Sequence, residues 1–166
     1  MIQVATPAGI WRSGEVHWSL LLDSSWVVEP KYNGYRCLVH FTEGGIEYKT
    51  KSWTPHRSCD LPNEWPVNVV PCDSVFDGEW IRKSGELIIF DVPRFDGQNW
   101  QISLEQRRAV LKEYVPQLGK IRLITRYADR EGALSRALKE GHEGVVFKSN
   151  APYPRGNTSQ WLKMKG

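Results

Sequence analysis

The chain has 166 residues, of which 40% are hydrophobic, and its net charge is +3, which is too small to identify a partner. This length and composition suffice for the core of one ordinary domain, and without an apolar run of about 18 residues or a basic start followed by an apolar stretch they predict neither a membrane span nor a signal peptide. Cys37, Cys59 and Cys72 are odd in number and form no CxxC pair, so they predict reduced thiols in a cytoplasmic protein rather than a disulfide framework or a zinc site.

The charge is unevenly distributed along the chain. Residues 1–119 carry 12 Lys and Arg against 15 Asp and Glu, whereas residues 120–166 carry 10 against 4. The C-terminal third is therefore a candidate for contact with phosphates. Its basic residues either follow a nucleic-acid backbone or form an ordinary solvated helix face, and they are Arg122, Arg126, Arg130, Arg136 and Lys139.

Two hairpins are predicted in the first two thirds of the chain. Residues 26–29 and 36–42 are rich in β-branched and aromatic types, and Gly44-Gly45 separates the second run from IEYKTK. Lys31 is therefore expected between strands. The runs SVFDGEWI and ELIIFDV, joined by a turn at Ser84-Gly85, predict a second hairpin.

The remaining elements alternate between helices and strands. Ser103 and Gln106 have the spacing of a capping box that opens a helix through about Val115. KIRLIT predicts a strand, residues 129–140 predict a helix that Gly141 ends, and EGVVFKS and QWLKMK predict the last two strands. The expected fold is one α+β domain with antiparallel sheets and a few covering helices.

Charged residues recur inside these predicted strands and turns. The clusters are EPKYNGYR at 29–36, DGE at 77–79, EGVVFK at 143–148 and WLKMK at 161–165. Taken singly, each fits a solvated turn or a half-buried strand with a polar outer face.

Taken together and in this order, the clusters resemble the covalent nucleotidyltransferases, a family that includes ATP-dependent DNA ligases, RNA ligases and mRNA capping enzymes. KYNG with Arg36 resembles the nucleophile motif KxDGxR, and DGE resembles the third motif. IIFDVPRFDG resembles the strand that follows, and EGVVFK and WLKMK resemble the fourth and fifth motifs. Within the family, FDVPRFDG, YPRGNTSQWLKMK and TKSWTPHR are most like the small DNA ligases of viruses and phages, which implies the cytoplasm of a bacterium or of an infected host.

The resemblance extends from about residue 20 to residue 165 and implies a fold. Residues 1–166 are expected to form a single nucleotidyltransferase (ATP-grasp-like) adenylation domain, in which two antiparallel β-sheets with flanking helices enclose an ATP pocket. The chain stops one residue after the fifth motif, where ligases continue into an OB-fold domain with a sixth motif. We therefore expect no OB-fold domain in these residues and slow formation of lysyl-AMP by the lone domain. Either the chain is cut at the domain boundary, or it is a minimal protein that borrows the missing part from a separate OB-fold domain or partner protein or works without it.

The resemblance also implies a role for each matching residue. Lys31 is the nucleophile that forms lysyl-AMP from ATP, with Lys163 and Lys165 beside it as catalytic residues. Lys148 and Lys163 contact the α-phosphate. Glu143 helps to hold Mg²⁺, which prefers oxygen ligands while bridging phosphates.

The other implied roles concern the nucleoside and the nucleic acid. Glu29 lies near the adenine amino group, Phe90 stacks on the base, Glu79 accepts from a ribose hydroxyl and Arg36 holds the sugar edge. Lys51 stands where the family usually has an arginine that meets the nick phosphate, and a lysine supplies the charge without the bidentate fork. The implied partner is nicked duplex DNA or RNA, with no membrane, and the protein is expected to be a monomer.

The chemistry of a lysine nucleophile agrees with these roles. A lysine attacks phosphorus only as the free amine, so its usual pKa of about 10.4 must fall. One cation about 5 Å away, at an effective dielectric constant of about 20, disfavours protonation by about 3 kcal/mol, which is roughly 2 pKa units. The hypothesis is therefore that the amines of Lys148, Lys163 and Lys165 converge on Lys31.

One departure from the motif and three alternatives accompany the DNA ligase interpretation. Asn33 replaces the usual aspartate of the nucleophile motif, which removes a negative charge near Lys31 and preserves the turn. An RNA ligase shares every catalytic motif, and a GTP-using capping enzyme is a weaker alternative. A non-catalytic nucleotide or nucleic-acid binding module of the same fold is the alternative from another class.

Overall fold

The computed structural model describes residues 2–12, 25–59, 61, 65, 70–99, 101–115 and 119–166. The strands in these ranges are β1 (Ala5–Arg12), β2 (Val27–Lys31), β3 (Tyr35–Thr42), β4 (Gly45–Lys49), β5 (Ser74–Ile81), β6 (Glu86–Phe95), β7 (Gln98–Asn99), β8 (Ile121–Leu123), β9 (Gly144–Lys148) and β10 (Gly156–Lys165). The helices are α1 (Leu104–Tyr114) and α2 (Ala133–Lys139). None of the described helices is both long and apolar enough to cross a bilayer.

The strands form two sheets, which confirms the predicted α+β class. Sheet A has the order β1-β10-β9-β2, and sheet B has the order β4-β3-β5-β6-β7 with β8 beside β6. The expectation of purely antiparallel sheets needs correction, because β1 pairs with β10 and β6 pairs with β8 in parallel. The second of these pairs follows from the connection, since a parallel neighbour needs a crossover and α1 lies between β6 and β8 in the chain.

The alternation of side chains along the strands gives each sheet an apolar outer face and a more polar inner face. The outer face of sheet A packs Val28, Val145, Phe147 and Met164 against Ala133 and Ala137 of α2. The outer face of sheet B packs Cys37, Val39, Phe76, Leu87 and Ile89 against Leu111 of α1 and Val115. The inner faces are thereby left to form the walls of a cleft.

Both predicted hairpins are present, as β3–β4 and β5–β6 of sheet B. The strand before the first hairpin, β2, belongs to sheet A instead. β2 lies in sheet A, whereas β3 pairs with β4 and β5 in sheet B. Lys31 is the last residue of β2 rather than part of a turn, and the chain crosses between the sheets directly after it. Gly34 permits this crossing, because a Cβ there would lie 2.4 Å from the Trp80 carbonyl oxygen of β5.

The predicted capping box of α1 is confirmed. Ser103 Oγ accepts from the Gln106 N–H at 3.3 Å, and Gln106 Oε1 accepts from the Ser103 N–H at 3.0 Å. α2 begins at Ala133 instead of Asp129, because Asp129 Oδ1 accepts from the Gly132 N–H at 3.1 Å and so closes a turn before the helix.

Candidate active site

A cleft opens between the inner faces of the two sheets. Most of the sequence-predicted nucleotide-binding residues line it, together with residues that the sequence did not single out. The lining residues are Pro7, Glu29, Pro30, Lys31, Tyr32, Arg36, Glu79, Phe90, Ile124, Val146, Lys148, Trp161 and Lys163.

Strand register brings three of the charged motifs onto one face of sheet A. Lys31 of β2 lies opposite Gly144 of β9, which in turn lies opposite Lys165 of β10. Two residues away along the same strands, Glu29 of β2 lies opposite Val146 of β9, which lies opposite Lys163 of β10. Because side chains two apart share a face, the motifs meet although they are far apart in sequence.

Lys31 lies in an electrostatic cluster at one end of the cleft. Its Nζ donates to Glu143 Oε2 at 2.5 Å. That hydrogen bond, together with the positive charges of Lys31, Lys165 and Lys163, holds the pKa of Glu143 below its ordinary value of 4.5. Burial, followed by the charges of Lys165 and Lys31, lowers the pKa of Lys163. Three amines and one carboxylate therefore interact at this end of the cleft.

Lys148 lies in a different place from the one expected. It pairs with Val27, four residues from Lys31, so their Cα atoms are about 13 Å apart along the strands. Its buried Nζ is 2.7 Å from Glu29 Oε1 and lies 4.5 Å and 4.1 Å from the ring centroids of Phe90 and Trp161. The convergence of four amines is thus corrected to three, because a strand of this length carries its two ends to opposite ends of the cleft.

Glu29 keeps an acceptor unused at this far end of the cleft. Its side chain is 3% exposed, and one oxygen faces Lys148. The other oxygen, Oε2, is buried without a hydrogen-bond partner among the described residues. A buried acceptor without a donor is costly, so the arrangement is suited to a ligand that brings an N–H group.

Arg36 is held by a buried network that the sequence did not reveal. Its Nε and Nη2 donate to the two Asp77 oxygens at 2.5 and 2.6 Å, and Nη2 also donates to the Ala5 carbonyl at 2.9 Å. The Tyr153 hydroxyl donates to Asp77 Oδ2 at 2.6 Å and accepts from the Ala5 N–H at 3.0 Å. Burial alone would lower the pKa of Arg36, but Asp77 outweighs it and raises that pKa. The guanidinium is therefore fixed at the cleft wall, 5.1 Å from the Phe90 ring centroid.

Glu79 lines the cleft beside Arg36, and its carboxyl group binds a proton unusually tightly. Burial raises the pKa of Glu79 from 4.5 to about 7, although the charges of Arg36 and Lys31 and the Gly34 N–H oppose the shift. The folded protein thus binds the Glu79 proton more tightly than the unfolded chain does. The resulting stabilisation is fully present below pH 4.5 and is lost as the pH rises through 7.

We expect Glu79→Gln to raise the free energy of unfolding at pH 8 by up to about 3 kcal/mol and to leave it nearly unchanged at pH 4. Glutamine removes the buried charge that costs stability at pH 8 and resembles the neutral acid present at pH 4. Urea unfolding of both proteins at the two pH values measures the difference. Glu113→Gln makes the same change at an exposed site on α1 and should show no such pH dependence; equal effects of the two substitutions would contradict the role of burial.

Glu143 is the acidic side chain best placed to hold a metal ion. Among the described residues there is no group of three or more His, Cys, Asp or Glu side chains that would cage a metal. A single carboxylate is nevertheless compatible with Mg²⁺, which keeps several waters and binds through one or two carboxylates plus substrate phosphates. The Glu143 side chain is 30% exposed at the cleft, so it fits this mode of binding.

Lys51 lies outside the cleft, in an adjoining open groove. The groove and the cleft share Arg36. Among the described residues the groove lining contains cations and no carboxylate: Gly34, Tyr35, Arg36, Thr50, Lys51, Thr54, Pro55, His56, Arg57 and Ser58. By contrast, most of the basic residues in the C-terminal third make contacts within the protein. Arg122 pairs with Glu86, Arg126 with Glu105 and Arg136 with Glu140. Of the two candidate surfaces for phosphates, the groove has the more available charge.

Comparison with known proteins gives a consistent result. The family model described as "ATP dependent DNA ligase domain" matches residues 52–165. A probable DNA ligase of Nocardioides sp. strain JS614 is 42% identical over 169 residues, which cover 83% of this chain and 33% of that protein. The chain spans a third or less of the length of the curated relatives that it matches.

Solved structures support the same fold. A mycobacterial DNA ligase D complexed with ATP superposes with a TM-score of 0.74 at 20% identity, covering 99% of this chain and 60% of that one. An archaeal ATP-dependent RNA ligase superposes with a TM-score of 0.57 at 23% identity, covering 89% of this chain and 46% of that one. At these identities the likeness establishes the nucleotidyltransferase fold of ligases, which confirms the predicted fold.

Proposed function

The chain belongs to the family of ATP-dependent DNA ligase domains, and from this premise we propose that residues 1–166 act as a single adenylation domain. It transfers AMP from ATP to Lys31 and then to the 5′-phosphate at a nick, so that the nick in duplex DNA can be sealed. We place this activity in the cytoplasm, where ATP and nucleic acid are both present, and assign it to a monomer.

The observation that carries the proposal is the position of Lys31 among Glu143, Lys163 and Lys165 at one end of the cleft. In the transfer, a bond forms between Lys31 Nζ and the α-phosphorus, the bond to pyrophosphate breaks and pyrophosphate leaves, and Nζ releases two of its three ammonium protons to water and keeps one N–H. The two neighbouring amines neutralise the charge that builds up on the α-phosphate. Glu143 holds Lys31 in place by its hydrogen bond before the nucleotide enters.

The opposite end of the cleft is suited to adenine. Phe90 offers an aromatic face, and the unpaired Glu29 Oε2 accepts from the exocyclic amino group. Guanine presents a carbonyl oxygen at the corresponding position and would oppose that carboxylate. Glu79 and Arg36, between the two ends, face the ribose. This arrangement supports ATP as the substrate in preference to GTP.

Lys148 contributes at the base end in this proposal. Its ammonium neutralises Glu29 and lies beside the Phe90 and Trp161 rings, so it keeps a buried carboxylate available next to the base. Glu143 would hold Mg²⁺, which supplies charge neutralisation to the triphosphate when bound. Lys51 and the groove around it supply positive charge for the nucleic-acid phosphate, next to the cleft.

Intact-mass measurement after incubation with ATP and Mg²⁺ tests the proposal. We expect the protein to gain the mass of one AMP, located on Lys31 by peptide mapping, and to gain no mass with GTP. The adenylylated protein is then given matched nicked DNA and nicked RNA duplexes, and AMP should pass to the 5′-phosphate of the DNA. Protein that binds ATP and never gains mass would support the non-catalytic binding module instead, and transfer to RNA alone would support an RNA ligase.

A further inference from the structure

Two cysteine thiols meet on the outer side of sheet B, away from the cleft. Cys37 lies on β3, directly after Arg36, and Cys59 follows β4 in the segment of residues 50–59. The two side chains are near enough to interact, and Cys59 packs against the apolar cluster that contains Cys37. Tyr48 of β4 packs against the same cluster.

Hydrogen bonds fix the position of Cys59 relative to β4 and the segment of residues 50–59. The Cys59 N–H donates to His56 Nδ1 at 3.1 Å, and the His56 N–H donates to the Tyr48 carbonyl at 2.8 Å. The Thr50 N–H donates to the Thr54 carbonyl at 2.8 Å and closes the base of the segment. These hydrogen bonds therefore hold Cys59 in one position in the folded protein.

The two thiols differ in their access to solvent. Cys37 is 0% exposed, whereas Cys59 is half-buried at the surface. The interaction with the Cys59 side chain and burial both raise the pKa of Cys37. An oxidant from solvent thus reaches Cys59 first, and Cys37 is positioned to react with the product.

We propose that Cys37 and Cys59 form an oxidation site that closes reversibly to an intramolecular disulfide. With hydrogen peroxide as the oxidant, the Cys59 sulfur takes one oxygen to become a sulfenic acid, and one water is released. The Cys37 sulfur then attacks the Cys59 sulfur, the sulfur–oxygen bond breaks, and the hydroxyl leaves with the Cys37 proton as a second water. The disulfide ties the segment that carries Lys51 to the strand that carries Arg36.

Counting thiols after treatment with hydrogen peroxide tests the site without reference to nucleotide transfer. The full chain with Cys72→Ser is used, because Cys72 is exposed and would react independently. After peroxide, quenching and denaturation, both remaining thiols should resist alkylation, the intact mass should fall by two hydrogens, and mapping should recover a peptide pair linked through 37 and 59. Dithiothreitol should restore both thiols, and the urea midpoint should be higher in the oxidised protein because the linkage restricts the unfolded chain.

Cys59→Ser in the same background is the matched control. There Cys37 should remain fully alkylatable after denaturation, since the oxidant reaches it only through Cys59. The proposal is overturned if Cys59 proceeds to a sulfinic or sulfonic acid while Cys37 stays alkylatable. It is equally overturned if the disulfides that form join two molecules, or if Cys37 is oxidised as readily in the Cys59→Ser protein.

Discussion

Replacing Lys31 with alanine is expected to reduce covalent transfer of AMP by at least about 10⁴-fold, because Lys31 supplies the nitrogen that forms the bond to the α-phosphorus. Lys163 and Lys165 belong to β10, which β9 separates from β2 in sheet A, and their charges act on the transition state rather than as a substitute nucleophile. The initial rate of label incorporation at saturating ATP measures the effect. Binding of a non-hydrolysable ATP analogue should persist, because Glu29, Phe90 and Glu79 remain.

Two further substitutions distinguish charge from nucleophilicity at this position. Lys31→Arg keeps a cation opposite Glu143, but the guanidinium stays protonated and does not attack, so this protein should be as inactive as the alanine variant. Lys139→Ala removes an exposed lysine from the end of α2 and should retain full activity. Appreciable labelling of the Lys31→Ala protein would transfer the nucleophile to another residue and remove the basis of the proposed mechanism.

Arg107→Ala should lower the free energy of unfolding by about 3 to 5 kcal/mol, the largest stability effect expected of a polar residue here. Arg107 and Asp91 are both 0% exposed, and Arg107 Nε donates to Asp91 Oδ1 at 2.6 Å. Arg107 Nη1 also donates to the carbonyls of Ile102 and Ala151, at 2.8 and 3.0 Å. The substitution would leave a buried carboxylate without its counter-ion and two carbonyls without a donor. Equilibrium urea unfolding measures the loss.

A double substitution distinguishes the effect of the two buried charges from the effect of the volume that their side chains fill. Arg107→Met with Asp91→Leu removes both charges and should recover much of the stability that Arg107→Met alone loses, as expected for a buried ion pair. Arg136→Ala breaks an exposed pair with Glu140 on α2 and should cost less than about 0.5 kcal/mol. A cost for Arg107→Ala no greater than that for Arg136→Ala would show that the buried pair does not hold α1 to sheet B.

The sequence predicts elements whose signals are local. The hairpins follow from alternation and glycine turns, and the α1 cap follows from the spacing of Ser103 and Gln106. The charged motifs likewise identify the residues that reach the cleft, because each motif lies on one strand face. The parallel pairing of β1 with β10 has no such signal, since it joins segments from opposite ends of the chain.

Sequence reasoning misplaced or overlooked residues whose positions depend on how distant segments align in the fold. Lys148 belongs to a recognised motif, yet its end of the cleft is set by how β9 aligns with β2. Tyr153 lies in a loop without a motif, and its hydroxyl reaches Asp77 of β5, 76 residues away in the sequence, only in the folded chain. The only sign of this buried network in the sequence is Asp77, an acidic residue inside an apolar run.

The crossing at Gly34 has a mechanical consequence. Lys31 ends a strand of one layer, and Tyr35 begins a strand of the other, so the nucleophile is attached directly to the joint between them. Tyr32 lies within this crossing. Its hydroxyl accepts from Arg122 Nη2 at 3.2 Å, and its ring centroid is 4.6 Å from that of His142. The nucleophile therefore lies where the chain itself joins the two walls of the cleft, so its position is tied to both sheets.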